Sequence, residues 1–271
     1  MSTVPKPKIR ENGKHFLSPF CGKQNMVPVD INVHPTAMNR RSFIGTCAAM
    51  GLGAFVSPVR LFANGASGHD FVFTRLSYES GDWDVDERMP ANLLNSLIEY
   101  TTLRVNLTEQ VIALADPAML QQPFCYLAGR RLVQFSHAER ENFFNYVNNG
   151  GFVFVDDCNH DIDGMFARSF EQQMADLFGA KALQKIPNDH PIYHSFFEFD
   201  GPPNTSQELN GWGDDLVHKY LKAIEINGRI AVLYSNKDLG CEWDYDFRNK
   251  RFMRVDNTRF AVNIVIYSMT A

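Results

Sequence analysis

The chain has 271 residues and a formal net charge of −5 at pH 7, but the charge is unevenly distributed. The first 66 residues hold eight Lys/Arg and two Asp/Glu, so residues 67–271 hold 18 and 29, a net charge of −11. Such an acidic domain argues against nucleic acid and anionic membrane surfaces as partners. Its roughly 205 residues suffice for one domain with a sizeable core.

The N-terminal region has the features of an export signal. Arg40 and Arg41 precede Phe43 and an apolar segment that is too short and glycine-rich for a membrane span. We therefore predict a twin-arginine signal peptide over residues 38–66 and a periplasmic or otherwise extracytoplasmic location. A chance arginine pair before a buried helix is the alternative. Residues 1–37 lack a hydrophobic period, which predicts either a disordered extension or a mis-annotated start.

Cysteine usage limits the chemistry of the remaining domain. Of five cysteines, only Cys125, Cys158 and Cys241 lie beyond residue 66. Three cysteines cannot all pair, so the chain is not a disulfide scaffold. The absence of a Cys-x-x-Cys motif from the sequence argues against a zinc ribbon or an iron–sulfur cluster.

Predicted strands and helices alternate through the first half of this domain. Apolar–polar alternation predicts a strand over 70–78, and Pro90 opens a helix with Leu93, Leu94, Leu97 and Ile98 inward. Residues 103–107 are predicted as a second strand, 111–114 as a short apolar element and 124–128 as a third strand. A capping box at Ser136-x-x-Glu139 begins a helix with Phe143, Phe144 and Val147 inward, and Asn149-Gly150 ends it.

The central feature is a short apolar strand over 152–155 that ends at Asp156 and Asp157. A helix over 164–178, an extended segment within 189–199 and a loop over 201–215 follow. Asn227-Gly228 predicts a β-hairpin, residues 236–247 a loop, and the C-terminus a final helix. This order predicts one α/β domain over 67–271, a three-layer flavodoxin-like sandwich with a mostly parallel sheet and a late hairpin.

Parallel strands bring polar residues together at the carboxyl edge of a sheet. We expect Asp82, Trp83 and Asp84, which follow the first strand, to lie near the end of the central strand and to bind a ligand there. Trp243, in a second acidic loop, is a further ligand-binding candidate. A tryptophan beside carboxylates can bind sugars or cationic groups, or it can anchor its loop on the core.

The segment after the central strand carries the candidates for chemistry. Those that could act as acids, bases or nucleophiles are Asp156, Asp157, Cys158 and His160. Asn159-x-Asp161-x-Asp163-Gly164 matches the first half of a calcium loop, but Phe170 occupies the position that requires glutamate. A looser divalent-metal site remains open, with Asp156, Asp157, Asp161 and Asp163 as ligands. The alternative is that these aspartates cap the following turn and helix or are solvated.

The chain resembles a bacterial family of exported proteins, domain of unknown function 4159. The segments that carry the resemblance are Arg75-Leu76-x-Tyr78, Gly81-Asp82-Trp83, Tyr126-Leu127-x-Gly129, Gly150-Gly151-Phe152 to Asp156-Asp157-Cys158, Phe166-x-Arg168-Ser169-Phe170, His190-Pro191-Ile192-Tyr193 and Gly228-Arg229. The resemblance implies a fold similar to class I glutamine amidotransferases. It also implies envelope protein partners, namely ATPase and von Willebrand A-type systems, and it supplies no reaction.

In the amidotransferase fold, the strand corresponding to 152–155 leads to a nucleophilic cysteine, which the resemblance places at Cys158. A nucleophile elbow needs small neighbours, whereas Asp156 and His160 flank this thiol. Nearby carboxylates also raise a thiol pKa, and Ile192 stands where the enzymes have glutamate. The sequence therefore argues against glutaminase catalysis. It favours a non-catalytic periplasmic binding module, with a metal-assisted hydrolase using the Asp156–Asp163 loop as the alternative.

Overall fold

A computed structural model describes residues 70–159, 161–209, 217–244 and 255–271. The predicted signal residues Arg40, Arg41 and Phe43, the segments 1–37 and 38–66, and His160 lie outside the described residues. The described part contains a seven-stranded sheet. Its strands are β1 (Thr74–Ser77), β2 (Gln110–Ala113), β3 (Cys125–Gly129), β4 (Val153–Asp157), β5 (Gln184–Lys185), β6 (Lys222–Ile226) and β7 (Arg229–Ser235).

The spatial order of the strands is β2-β1-β3-β4-β7-β6-β5. Neighbouring strands pair in parallel along the row β2, β1, β3, β4 and β7. β6 pairs antiparallel with β7, and β5 pairs antiparallel with β6 at the far edge. The order through β4 reverses direction between β1 and β3, as in doubly wound flavodoxin-like sheets. The predicted mostly parallel α/β sheet with a late antiparallel hairpin is therefore confirmed.

Helices cover both faces of the sheet. They are α1 (Met89–Tyr100), α2 (His137–Asn148), α3 (Met165–Phe178), α4 (Ser206–Leu209), α5 (Leu239–Trp243) and α6 (Val255–Thr270). One core, the first core, contains apolar residues of α1, α5 and α6, Phe124 just before β3, and Tyr126 and Phe154 of the sheet. The second core contains residues of α2 and α3 with Leu127, Val155 and others. Alternation along each strand supplies both cores, because successive side chains point to opposite faces.

Local signals set several element boundaries. The Ser136 side chain accepts a bond from the Glu139 amide while Glu139 accepts one from the Ser136 amide, so the predicted capping box begins α2. Gly150 follows that helix with a φ of 90°, a left-handed conformation that favours glycine. Asn227 and Gly228 have φ values of 55° and 76°, which suits the tight turn joining β6 to β7.

Some predicted details are wrong. The second strand is β2 at 110–113, whereas the predicted strand at 103–107 contributes only one bridge, between Val105 and Phe71. Ile98 and Phe144 are 50% and 41% exposed, although both were expected to face the core. On each helix, the apolar stripe predicted from the periodicity is wider than the helix face that packs against the sheet.

Two predicted irregular segments also contain helical turns. The segment 189–199 includes a 3-10 turn at Pro191–Tyr193, begun by His190, whose Nδ1 accepts a bond from the Ile192 amide. The predicted loop at 236–247 contains α5, which proves important for the site below. Among the described residues, no helix is long and apolar enough to cross a membrane.

Candidate functional site

Four potential ligands converge at the carboxyl edge of the parallel strands. Asp86 lies in the loop after β1, Asp156 is the last but one residue of β4 with Cys158 just beyond the strand, and Asp238 follows β7. One carboxylate oxygen or sulfur atom from each residue lies within 4.8 Å of the corresponding atoms of the other three. We call these four residues the acidic cluster. It stands where open α/β sheets bind their ligands.

The two adjacent aspartates of β4 point to opposite faces of the sheet. Asp156 faces the first core and accepts bonds from the backbone amides of Leu239 (3.2 Å) and Gly240 (2.5 Å) at the start of α5. Asp157 faces the second core, where it accepts bonds from the Asn159 amide (2.9 Å) and the Tyr234 hydroxyl (3.3 Å). Both are fully buried. Because successive side chains of a strand point to opposite faces, the two carboxylates that were predicted to act together lie on different sides of the sheet.

Asp86 is held in place through its backbone by Arg75. The buried Arg75 guanidinium donates to the carbonyl oxygens of Val85 (2.6 Å) and Asp86 (3.1 Å) and forms an ion pair with Glu109 (3.0 Å). Asp86 itself has a φ of 55°, a left-handed conformation that is uncommon for a residue with a side chain. The loop after β1 is therefore fixed in a conformation that carries the Asp86 carboxylate to the cluster.

Asp238 reaches the cluster from the other side. It has φ and ψ of 54° and 54°, and its carboxylate accepts a bond from the Cys241 amide at the start of α5. The preceding Lys237 is buried, and its ammonium group contacts the Glu208 carboxylate at 2.6 Å. The short β7–α5 connection thus places the Asp238 carboxylate in the cluster, whereas the adjacent Lys237 forms an ion pair with Glu208.

Two thiols donate to Asp86, one from Cys158 in the cluster and one from Cys241 beside it. The Cys158 Sγ lies 3.1 Å from Asp86 Oδ2, and the Cys241 Sγ lies 3.5 Å from Asp86 Oδ1. Burial, followed by the nearby charges of Asp238 and Asp86, raises the pKa of the Cys158 thiol well above its ordinary range. Cys158 is therefore held as a protonated thiol.

Burial and neighbouring charges also raise the pKa values of the carboxylates. Burial and then the charge of Asp238 raise the pKa of Asp156 well above its ordinary value, against the bond from the Gly240 amide. Burial and the charge of Asp86 raise the pKa of Asp238 to about 7. Burial also raises the pKa of Asp157 to about 7 on the opposite face. Because desolvated like charges repel, the cluster holds protons near neutral pH unless a cation replaces them.

Tyr126, the second residue of β3, points its hydroxyl at the acidic cluster. A Cβ atom placed on Gly240 would contact Asp86 Oδ2 and would lie 2.7 Å from the Tyr126 hydroxyl and 3.0 Å from Asp156 Oδ2. The three polar atoms therefore surround one point beside the Gly240 backbone. The Tyr126 side chain is fully buried, and its hydroxyl has no hydrogen-bond partner among the residues that the structure describes. Buried hydroxyls are rarely left unsatisfied, so this one requires an explanation.

The other ligand-binding candidates lie apart from the cluster. Asp82 accepts bonds from the amides of Arg130 and Arg131 and so fastens the first acidic loop to the end of β3. Trp83 packs against the second core, and Asp84 is exposed. Trp243 is buried in the first core, where its indole nitrogen donates to the Asn257 carbonyl oxygen at 3.0 Å. Both tryptophans therefore contribute to packing.

The proposed metal ligands Asp161 and Asp163 are not part of the cluster. Asp161 Oδ1 accepts a bond from the Asp163 amide at 2.9 Å, and Asp163 is exposed. Asp161 therefore stabilises the turn before α3. Of the aspartates at 156–163, the structure brings Asp156 alone into the acidic cluster, where Cys158 joins it.

Asp86, Asp238, Tyr126 and Gly240 were not predicted from the sequence. Asp86 lies in the acidic loop that was singled out, four residues after Asp82, but nothing local distinguishes it from Asp84. Asp238 could have been found only by recognising that β7 pairs with β4, since its position in the site depends on that pairing. In the sequence, Tyr126 has the pattern of an ordinary aromatic residue in a strand. Only the structure shows that its buried hydroxyl lacks a hydrogen-bond partner among the described residues.

The fold and site define a doubly wound α/β protein with a buried acidic cluster at the carboxyl edge of its sheet. Residues 72–269 match the model of a protein family, Domain of unknown function (DUF4159), and the chain belongs to this family. The membership of this family that the sequence predicted is thereby confirmed. Comparison with curated proteins gives no match.

Proposed function

We propose that this protein is a non-catalytic binding module that works outside the cytoplasm as part of an envelope-associated assembly. The observation that supports the absence of thiol catalysis is the state of Cys158. Its thiol donates to Asp86, and burial together with Asp238 and Asp86 keeps its pKa high. A cysteine nucleophile requires the opposite, an electropositive setting that favours the thiolate.

The proposed location depends on the Arg40-Arg41 pair and the apolar segment after it. The test is fractionation of a bacterial host that carries out twin-arginine export and expresses the full chain. The parent is expected in the periplasm, and a variant with Arg40→Lys and Arg41→Lys is expected to stay in the cytoplasm. A variant with Arg130→Lys and Arg131→Lys is the matched control, because it alters an exposed arginine pair of the folded domain. Equal distribution of all three proteins would contradict export by this route.

The absence of thiol catalysis is tested with the purified full chain. Panels of amide and ester substrates are expected to show no turnover that depends on Cys158, and iodoacetamide is expected to modify Cys158 slowly near pH 7. Cys158→Ser is compared with Cys125→Ser, a buried thiol on the opposite face of the sheet. Hydrolysis that Cys158→Ser abolishes and Cys125→Ser retains would replace the binding module with a thiol hydrolase.

Metal-assisted hydrolysis is the second candidate function, and one observation favours it. Asp156 meets Asp86, Cys158 and Asp238 at the sheet edge where substrates of open α/β sheets bind. Such a set could hold an ion that activates water. Turnover that requires an added divalent metal and is lost in Asp156→Asn would support this function over the binding module. Metal binding without turnover would leave the binding module in place.

A further inference from the structure

We propose that Asp86, Asp156, Cys158 and Asp238 form a binding site for one divalent transition-metal ion of the Zn²⁺ type, with the Tyr126 hydroxyl beside the ion. Metal binding at this cluster goes beyond the proposed binding role and does not require turnover.

The donor set and its spacing suit such an ion. Three carboxylates and one thiol each supply an atom within 4.8 Å of the others. In a tetrahedral site with metal–ligand bonds of about 2.0–2.3 Å, neighbouring ligand atoms are separated by about 3.3–3.8 Å. Small side-chain movements would bring the four atoms to that spacing. Cys158 Sγ and Asp86 Oδ2 lie 3.1 Å apart and are bridged by the thiol proton.

The orphaned Tyr126 hydroxyl is the independent observation that points to a ligand. It is fully buried and has no hydrogen-bond partner within the described part of the chain. It lies beside the Gly240 backbone, next to the carboxylate oxygens of Asp86 and Asp156. A bound ion, or a water molecule on that ion, would give the hydroxyl a partner. Gly240 allows this approach, because a Cβ atom would fill the point at which the three polar atoms meet.

The charges nearby also favour a cation. The Arg75 guanidinium, which lies over the Tyr126 ring, is directed to Glu109 and to backbone carbonyl groups. Lys237 is directed to Glu208. Within the described residues, these two neighbouring cations are thus directed away from the cluster, and an ion of charge +2 would reduce the repulsion among its carboxylates.

The thiol decides the class of ion. Ca²⁺ and Mg²⁺ take oxygen ligands, whereas Zn²⁺ and Co²⁺ accept thiolate and carboxylate together. Metal binding requires that Cys158 lose its proton, so the ion must compete with that proton. We therefore expect Zn²⁺ to bind one per chain and millimolar Mg²⁺ not to displace it.

The test is a Zn²⁺ titration of the chelator-treated full chain, monitored by competition with a chromogenic chelator. Outer-shell partners typically change metal affinity by about 10–100-fold, so loss of a direct ligand in Asp156→Asn or Asp238→Asn is expected to exceed about 100-fold. Asp157→Asn is the matched control, because it removes an adjacent buried carboxylate from the opposite face; its affinity should equal that of the parent. A parent that binds no Zn²⁺, or equal losses in Asp156→Asn and Asp157→Asn, would overturn the proposal.

A second measurement covers variants that fail to fold. Co²⁺ bound to the parent should give a thiolate-to-cobalt band in the near ultraviolet. The band should persist in Cys125→Ser and disappear in Cys158→Ser, which also excludes binding by Cys21 or Cys47 of the N-terminal region. Tyr126→Phe should keep the band and weaken Zn²⁺ binding by about 10-fold. A band unchanged in Cys158→Ser would refute the site.

Discussion

Replacing Arg75 with methionine should destabilise the protein far more than removing an exposed arginine. Arg75 is 2% exposed, and its guanidinium bonds to the carbonyl oxygens of Trp83, Val85 and Asp86 and to Glu109. Methionine fills much of the same space but donates no hydrogen bond, so those acceptors lose their partner. Hydrogen bonds that involve a charged group contribute about 1.5–3 kcal/mol each.

The burial of each acceptor determines how much of the free energy of unfolding Arg75→Met should lose. The Val85 bond is fully buried, whereas the Trp83 and Asp86 carbonyls and Glu109 keep partial access to water. Removing one partner from such a buried network typically costs about 3–5 kcal/mol. The matched control is Arg104→Met: Arg104 pairs with Asp70, and the two side chains are 64% and 50% exposed. An exposed pair contributes about 0–1 kcal/mol.

Urea denaturation of the purified full chain measures the difference. With a urea m-value of about 2–3 kcal/mol per molar, Arg75→Met should lower the unfolding midpoint by roughly 1–2 M. Arg104→Met should lower it only slightly. The same Arg75→Met protein should bind Zn²⁺ more weakly, because the loop that presents Asp86 loses its anchor. Equal midpoints for the two variants would refute the assignment of Arg75 as the residue that positions this loop.

Three further substitutions test other features. Burial raises the pKa of Asp157 from 3.8 to about 7. The protonated Asp157 therefore stabilises the fold fully below pH 4, and this contribution is lost as the pH rises through 7. Asp157→Asn should raise the melting temperature relative to the parent at pH 8 but not at pH 5. Gly240→Ala should cost about 1–3 kcal/mol by overpacking against the acidic cluster, where a melting-temperature gain would contradict the geometry. Gly228→Ala should cost about 1–2 kcal/mol in urea denaturation, because its φ of 76° suits glycine; an unchanged midpoint would argue against that turn.

Local signals predicted much of the fold. The Ser136–Glu139 capping box, the Asn227-Gly228 turn and the apolar run ending at Asp156 each depend on neighbours in the chain, and each appears in the structure as expected. The predictions that Phe144 and Ile98 face the core were wrong because periodicity defines an apolar stripe and not the area that the sheet covers.

The sequence alone determined the family, the alternation of strands and helices, and the edge of the sheet where polar residues gather. The tertiary structure decided which of those residues meet. Strand alternation sends Asp156 and Asp157 to opposite faces, while parallel pairing of β7 with β4 brings Asp238 beside Asp156. Asp86 joins them because Arg75 fixes a loop in a left-handed conformation. The contacts of Asp86 with Cys158 and of Asp156 with the start of α5 join residues 72 and 83 positions apart, so no local pattern of residue types encodes them.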